Sequence, residues 1–432
     1  MHRRQFIQQG AAVVSLAAVS PKSLGANDRV NAAVMGVRGR GNGLLHAFAE
    51  QADVDIRYVC DVDENVLRER MDAVSKKTRQ PPRAITDFRV AIEDPAVDVL
   101  VIGTPDHWHA IPTILACQAG KDVYVEKPDG HNMLEGRTMV KAMRKHQRIV
   151  QLGTQSRSGK HFLSAMEFIR EGHLGKARFA RAWESARQGS LGFAKDEAPP
   201  SGVDYDFWLG SARKSSFNKM RFHGNWRWFF DYGTGDLGND GVHRLDVARW
   251  ALETAIRAEG GPAPGWPQSV SALGGKYYFD DMQEWPDTLM VTYEYPGGYL
   301  LNYEMRIWTP YPFEGAPEGA AVYGDQGYIV IGNSKWQAFN AHGELVNEDA
   351  SGDNTHGHVR NFLDCVKSRQ QPAADLETVG HPSSALCHMG NAAWRVGRIL
   401  HYDSETNAFV GDEEANRYLT REYREPWVLP EV

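Results

Sequence analysis

Hydrophobic and polar positions change rhythm once along the chain, near residue 155. Before that point, largely apolar runs at 29–35, 56–60, 97–102, 123–125 and 149–152 alternate with helix-spaced stretches at 44–48, 111–119 and 133–146. Strands with no solvent-facing side belong to a parallel sheet covered by helices on both faces. The predicted first domain is therefore a doubly wound sheet over residues 28–155. A helix over 161–170 then leads into strand candidates at 177–183, 269–273, 288–295, 299–305, 320–323 and 328–331, with Pro296, Gly297 and Gly298 turning one hairpin. Alternating, aromatic-rich strands joined by tight turns predict a second α/β domain, residues 156–432, built on an open, mainly antiparallel sheet.

The chemistry-bearing residues gather where these strands end. Strand 29–35 enters Gly36-Val37-Arg38-Gly39-Arg40-Gly41, and Leu44, Leu45 and Phe48 follow at helical spacing. A strand, a glycine turn and a helix bring backbone amides and a helix N-terminus up to a pyrophosphate, so Gly36, Arg38, Gly39, Arg40 and Gly41 are read as dinucleotide contacts. Arg38 stands where the fingerprint GxGxxG has its second glycine, and Gly39 is expected to make the close approach instead. Asp61, 25 residues after Gly36, ends the second strand. A carboxylate there accepts the hydrogen bonds of a ribose and repels a 2′-phosphate, which favours NAD. The alternative for Asp61 is an N-cap of the following helix.

Thr104, Pro105, Trp108 and His109 follow the next apolar run, and Glu126-Lys127-Pro128 ends the one after it. Both lie where open sheets collect ligands, and Lys127 is the expected base. His107 and His109 lack a third ligand at metal spacing, so no metal is expected. In the second domain Trp226-Arg227-Trp228 leads through glycines to Asn239, Asp240 and His243, the last in the first turn of a helix, a position suited to acid–base work. Arg227 and Asp240 are candidate substrate contacts, and Trp108 and Trp228 candidate platforms for apolar sugar faces. His356 and His358 open a later helical stretch and are read chiefly as capping or surface residues.

Composition narrows the partners. A net charge of −7, with no block of lysines or arginines, removes the electrostatic case for nucleic acid and leaves a small molecule. Cys60, Cys117, Cys365 and Cys387 show neither CxxC nor zinc spacing and read as buried thiols. Residues 1–26 stand outside the fold: Arg3-Arg4-Gln5-Phe6-Ile7 before an uncharged run over 10–20 reads as a twin-arginine export signal. The run is shorter than the roughly 20 apolar residues that span a bilayer, so a periplasmic or otherwise exported protein without stable membrane insertion is expected.

Together, the loop at Gly36, Asp61, Thr104-Pro105 with His109, Glu126-Lys127-Pro128, and Leu237-x-Asn239-x-Gly241-x-His243 followed by Asp246 resemble the Gfo/Idh/MocA oxidoreductases over residues 30–400. The resemblance implies a Rossmann domain followed by an open-sheet α/β domain often used to build dimers or tetramers. It also implies bound NAD(P) and a sugar, polyol or related substrate. Lys127 and His243 are implied to act on the substrate hydroxyl, with Glu126 orienting the lysine at the cofactor. The family commonly has an aspartate where Asn239 stands, and an amide can hydrogen-bond a sugar hydroxyl but cannot take a proton. An exported enzyme has no cofactor pool to exchange with. The expected activity is therefore oxidation of a sugar or glycoside to a keto-sugar, C3 being one candidate carbon, with tightly held NAD reoxidised in place by a second sugar. The alternative is a redox-neutral, NAD-dependent glycoside hydrolase.

Overall fold

The computed structural model describes residues 29–351 and 355–432, and the export signal read at 1–26 lies outside them. Strands β1 (Val30–Met35), β2 (Val54–Cys60), β3 (Arg83–Ile85), β4 (Val99–Ile102), β5 (Asp122–Val125) and β6 (Val150–Leu152) form one parallel sheet in the order β3-β2-β1-β4-β5-β6. Along β1, Ala33 and Met35 enter one core while Val30, Ala32 and Val34 enter another, the two-sided burial that erased any polar face from the sequence. Helices α1 (Gly39–Ala49), α2 (Glu64–Val74), α3 (Arg89–Glu93), α4 (Ala110–Gln118) and α5 (Met133–His146) connect these strands.

The second sheet has ten strands. After α6 (Lys160–Arg170) come β7 (Ala177–Glu184), α7 (Tyr205–Leu209) and α8 (Val242–Ala258), then β8 (Ser269–Gly275), β9 (Thr288–Tyr295), β10 (Tyr299–Arg306), β11 (Glu318–Gly324), β12 (Gly327–Gly332), β13 (Trp336–Asn340) and β14 (Leu345–Asp349). Helices α9 (Thr355–Ser368) and α10 (His381–Val396) precede β15 (Leu400–Asp403) and β16 (Ala408–Phe409). The order is β14-β13-β12-β11-β7-β10-β9-β8-β15-β16, antiparallel except for the β7–β10 pair. The turn at 296–298 joins Tyr295 to Tyr299 in register, with Gly297 and Gly298 both at positive φ. Helices α8 and α10 pack on one face of this sheet.

Two departures from the sequence pattern matter for the site. Helix α9, more than two hundred residues beyond the first sheet, places Val359, Phe362 and Leu363 in the core that holds Phe48 and Tyr124. It thereby supplies part of the helical layer of the first domain. The domains are also tied by charge: Arg157 Nη2 and Nε donate to Asp246 at 2.7 and 2.9 Å, and Ser383 Oγ adds a 2.7 Å bond. Asp246 is fully buried, and this bidentate pairing is what makes a carboxylate tolerable there.

Backbone crowding explains the glycines of the first loop. Gly36 has φ +73°, and a Cβ on Gly41 would lie 1.6 Å from the Gly36 carbonyl oxygen. A Cβ on Gly103 would meet Gly41 Cα at 2.7 Å, so the loops after β1 and β4 touch through bare backbone. Gly41→Ala is expected to cost about 1–3 kcal/mol by overpacking. Gly43→Ala, two residues on in α1 with nothing within 4 Å of the new methyl, is expected to be neutral or stabilising. Urea midpoints check the pair, and equal effects would contradict the packing account.

Candidate active site

A cavity of about 320 Å³ runs from the glycine loop across the carboxyl ends of β4 and β5 to the second domain. Its walls include Gly36, Arg38, Gly39, Arg40, Asp61, Thr104, Pro105, Glu126 and Lys127 from the first domain, and Trp208, His223, Trp226, Arg227 and Asn239 from the second. Helix α1 begins at Gly39 with no side chain capping its first amides, and Gly39 itself faces open space. An uncapped helix N-terminus opening on a cavity fits a pyrophosphate. Asp61 accepts the Val37 N–H at 2.9 Å and the Asp63 N–H at 3.1 Å, so it both shapes the loop and lines the cavity. Burial raises its carboxyl, and those two amides oppose the rise. The N-cap of α2 is Asp63, not Asp61: the Asp63 side chain accepts from Asn65 and Val66 N–H.

The reactive end is built around Lys127. Its Nζ donates to the Asn239 backbone oxygen at 2.7 Å and to Asn239 Oδ1 at 3.1 Å, and Asn239 Nδ2 donates to Asp240 Oδ2 at 2.9 Å. Asn239 occupies a π-helical turn, Leu237–Gly241, immediately before α8. His243, the second residue of α8, is 9% exposed. Burial, then the charges of Lys127, Arg244 and Arg40, hold its imidazole well below the usual range. The ring is therefore neutral, and among the described residues it makes no hydrogen bond.

Profiles of the oxidoreductase family match this chain over most of its length. The NAD-binding Rossmann fold matches residues 30–154, and the C-terminal alpha/beta domain matches residues 177–259 and 322–429. The chain belongs to the Gfo/Idh/MocA oxidoreductases. A glycosyl hydrolase family 109 protein of Shewanella baltica is 26% identical over 173 residues, 39% of this chain and 36% of its own length. One from Shewanella pealeana is 28% identical over 153 residues, 34% of each. The chain thus spans about a third of the length of these curated relatives.

Solved structures of similar fold include the WlbA dehydrogenase of Bordetella pertussis with NADH and UDP-GlcNAcA, at TM-score 0.65 and 18% identity, covering 87% of this chain and 99% of that one. The aldose-aldose oxidoreductase of Caulobacter crescentus with glycerol gives TM-score 0.65 and 17% identity over 86% and 99%. A levoglucosan dehydrogenase with NADH and levoglucosan gives 0.66 and 15% over 86% and 99%.

Within this Gfo/Idh/MocA site several expected contacts turn out to be scaffolding. His109 places Nδ1 2.6 Å from the Pro128 oxygen and Nε2 2.9 Å from the Thr104 oxygen, so it braces the two loops rather than meeting a cofactor. His107 likewise spends both ring nitrogens on the Tyr232 and Trp208 carbonyls. Trp108 touches the cavity but is 3% exposed, stacked on Phe207 and bonded through Nε1 to the Trp208 oxygen; it is a core residue, not a sugar platform. Trp228 is buried away from the cavity, which leaves Trp226 as the exposed indole. Gly41 packs against Gly36 and contacts no ligand space, and Glu126 pairs with Arg40 at 2.8 Å rather than with Lys127. Asp240 and His243 stand beside the cavity wall and do not form it. His358 is buried on Ser158 and the Leu152 oxygen, while His356 pairs with Glu50 at the surface.

The sequence reading missed Phe207, Trp208, His223 and Gly224. The available signal was Gly224 directly before Asn225-Trp226, the same glycine-beside-aromatic pattern that marked 226–241. Asp61→Ala removes a charged acceptor worth about 1.5–3 kcal/mol, so NAD affinity is expected to fall roughly 10- to 100-fold. Trp108→Phe is expected to lower thermal stability with substrate KM unchanged. Calorimetric NAD titration and steady-state kinetics check these, and a raised KM in Trp108→Phe would return that residue to the substrate site.

Proposed function

We propose that this protein oxidises a secondary hydroxyl of a sugar or glycoside, retaining its NAD through the cycle. The observation that carries the reading is the position of Lys127 Nζ: it stands in the cavity wall, continuous with the uncapped start of α1, and is held at 2.7 and 3.1 Å by the two Asn239 oxygens. Bound nicotinamide supplies the hydride acceptor. Lys127 takes the hydroxyl proton, and Asn239 fixes the direction from which it does so. His243, kept neutral by burial, is placed to hydrogen-bond the same hydroxyl or its neighbour. Trp226 and Arg227 supply a face and a donor for the rest of the sugar.

Structural neighbours solved with UDP-GlcNAcA and levoglucosan support a carbohydrate substrate. The Arg3-Arg4 pattern supports export, and export in turn supports a retained cofactor with a second sugar as acceptor. The second sheet supports a homo-oligomer, dimer or tetramer. Leu273 and Met290 face each other across β8 and β9 at 79% and 52% exposure, an open apolar patch that a second copy would cover.

Relatives named as glycosyl hydrolase family 109 proteins favour a second reading, in which oxidation is transient and the sugar leaves unoxidised after its aglycone is released. Product analysis on a glycoside panel separates the two. A keto-sugar supports net oxidation, free aglycone with unoxidised sugar supports hydrolysis, and neither product overturns both. Lys127→Ala is expected to lower turnover by about 10²- to 10⁴-fold. It should leave bound NAD in place, because the glycine loop and not Lys127 is assigned to the pyrophosphate. A variant that keeps more than about a tenth of wild-type turnover, a loss well short of that range, removes Lys127 from the mechanism.

A further inference from the structure

Behind Asn239 the second domain buries more carboxylates than its cations can match. Glu184, the last residue of β7, is 0% exposed, and Asp236, at the entry to the π-turn, is 1% exposed. Glu184 lies opposite Glu318 of β11 in the antiparallel ladder, and Asp240 approaches from the other side of the turn. Arg244 is the cation of this cluster, and it is drawn to Glu318 at 2.5 Å and to Asn333. Arg227 and Lys127 act on Asp236 from the cavity side. Glu184 Oε1 accepts the Ala186 N–H at 2.8 Å, whereas its Oε2 has no partner. The Tyr303 hydroxyl on β10, fully buried against Gly241, also has none, and both Asp236 and Glu184 act on it.

Like charges this close in a water-free site cannot all be ionised. Burial raises the Asp236 carboxyl and Asp240 raises it further; burial likewise raises Glu184, with Asp236 and Glu318 adding to the effect. We propose that Asp236 and Glu184 hold a shared proton in the resting protein and act as positioning residues that leave Lys127 free to be an uncharged amine.

The link to the lysine is one amide. Lys127 Nζ donates to Asn239, whose Nδ2 donates to Asp240 at 2.9 Å and whose side chain also hydrogen-bonds Asp236. An ionised pair would hold the ammonium form on Lys127, and a proton on the pair lifts that hold. The same crowding accounts for asparagine at 239: an aspartate there would press a further carboxylate onto Asp240, while the amide serves the lysine with its oxygen and the carboxylate with its nitrogen. The pair makes and breaks no bond during turnover. The hydroxyl proton goes to Lys127 and the shared proton stays where it is.

The inference rests on Lys127 as the base, and it fixes a sign. As pH rises the pair loses its proton, its charge holds Lys127 as ammonium, and sugar oxidation slows on the alkaline side. Asp236→Asn and Glu184→Gln are permanently neutral, so each is expected to abolish the alkaline fall in single-turnover reduction of bound NAD. The loss at the optimum should be smaller than the about 10²-fold minimum for removing a catalytic acid or base. A purely structural role would lower the rate at every pH and keep the fall. An alkaline fall that persists in both variants overturns the proposal. Infrared difference spectra of the wild-type protein between neutral and alkaline pH give a readout free of variants and substrate, expected to show the C=O stretch of a protonated carboxyl. Its absence also overturns the proposal. If no sugar reduces the bound cofactor, the functional reading fails, and the infrared band still decides whether the pair holds a proton.

Discussion

One ammonium group joins the two halves of the site. Lys127 leaves β5 of the first sheet, and its Nζ ends on two oxygens of Asn239 in the π-turn of the second domain. Charge-assisted bonds of this kind are short and directional, so the lysine is aimed before any substrate arrives. Its geometry depends on how the domains are held, and that is set by Arg157 on Asp246 with Ser383 behind. Removing either partner of that buried pair would strand the other charge at a cost of about 3–5 kcal/mol.

Around this contact, polar residues serve the backbone first. Asp61 takes the Val37 amide, Glu126 holds Arg40 at the start of α1, and His109 spans two carbonyls. A site assembled from loops needs such braces, because an active-site group displaced by about an ångström loses much of its effect. The cavity therefore meets a few side chains directly, among them Lys127, Asn239, Trp226 and Arg227, and many more stand one layer behind.

How much of this the sequence showed depended on what was repeated. The first sheet was legible because five of its strands are apolar throughout; β3, Arg83-Ala84-Ile85 at the edge, was not, and neither was β14, whose residues face solvent. The motif residues at 36, 61 and 127 were legible because loop chemistry is local. The destinations of the tryptophans were not. An indole beside a motif looks the same in sequence whether it stacks on a sugar or on Phe207, and only packing across a hundred residues decides. Likewise nothing local showed that α9 returns to the first domain, or that Glu184 and Asp236, 52 positions apart, share one cluster.

The central claim is that a sugar hydroxyl meets Lys127 beside a cofactor the protein keeps. Its most direct test is the near-ultraviolet absorbance of protein purified and dialysed without added nucleotide, then mixed with a panel of sugars and glycosides. The account predicts that the band of reduced nicotinamide rises within one turnover, in proportion to protein, and decays when a second carbonyl sugar is added or when the cycle closes on its own. A protein that shows no band until free NAD is supplied, and then accumulates NADH in solution, would contradict it.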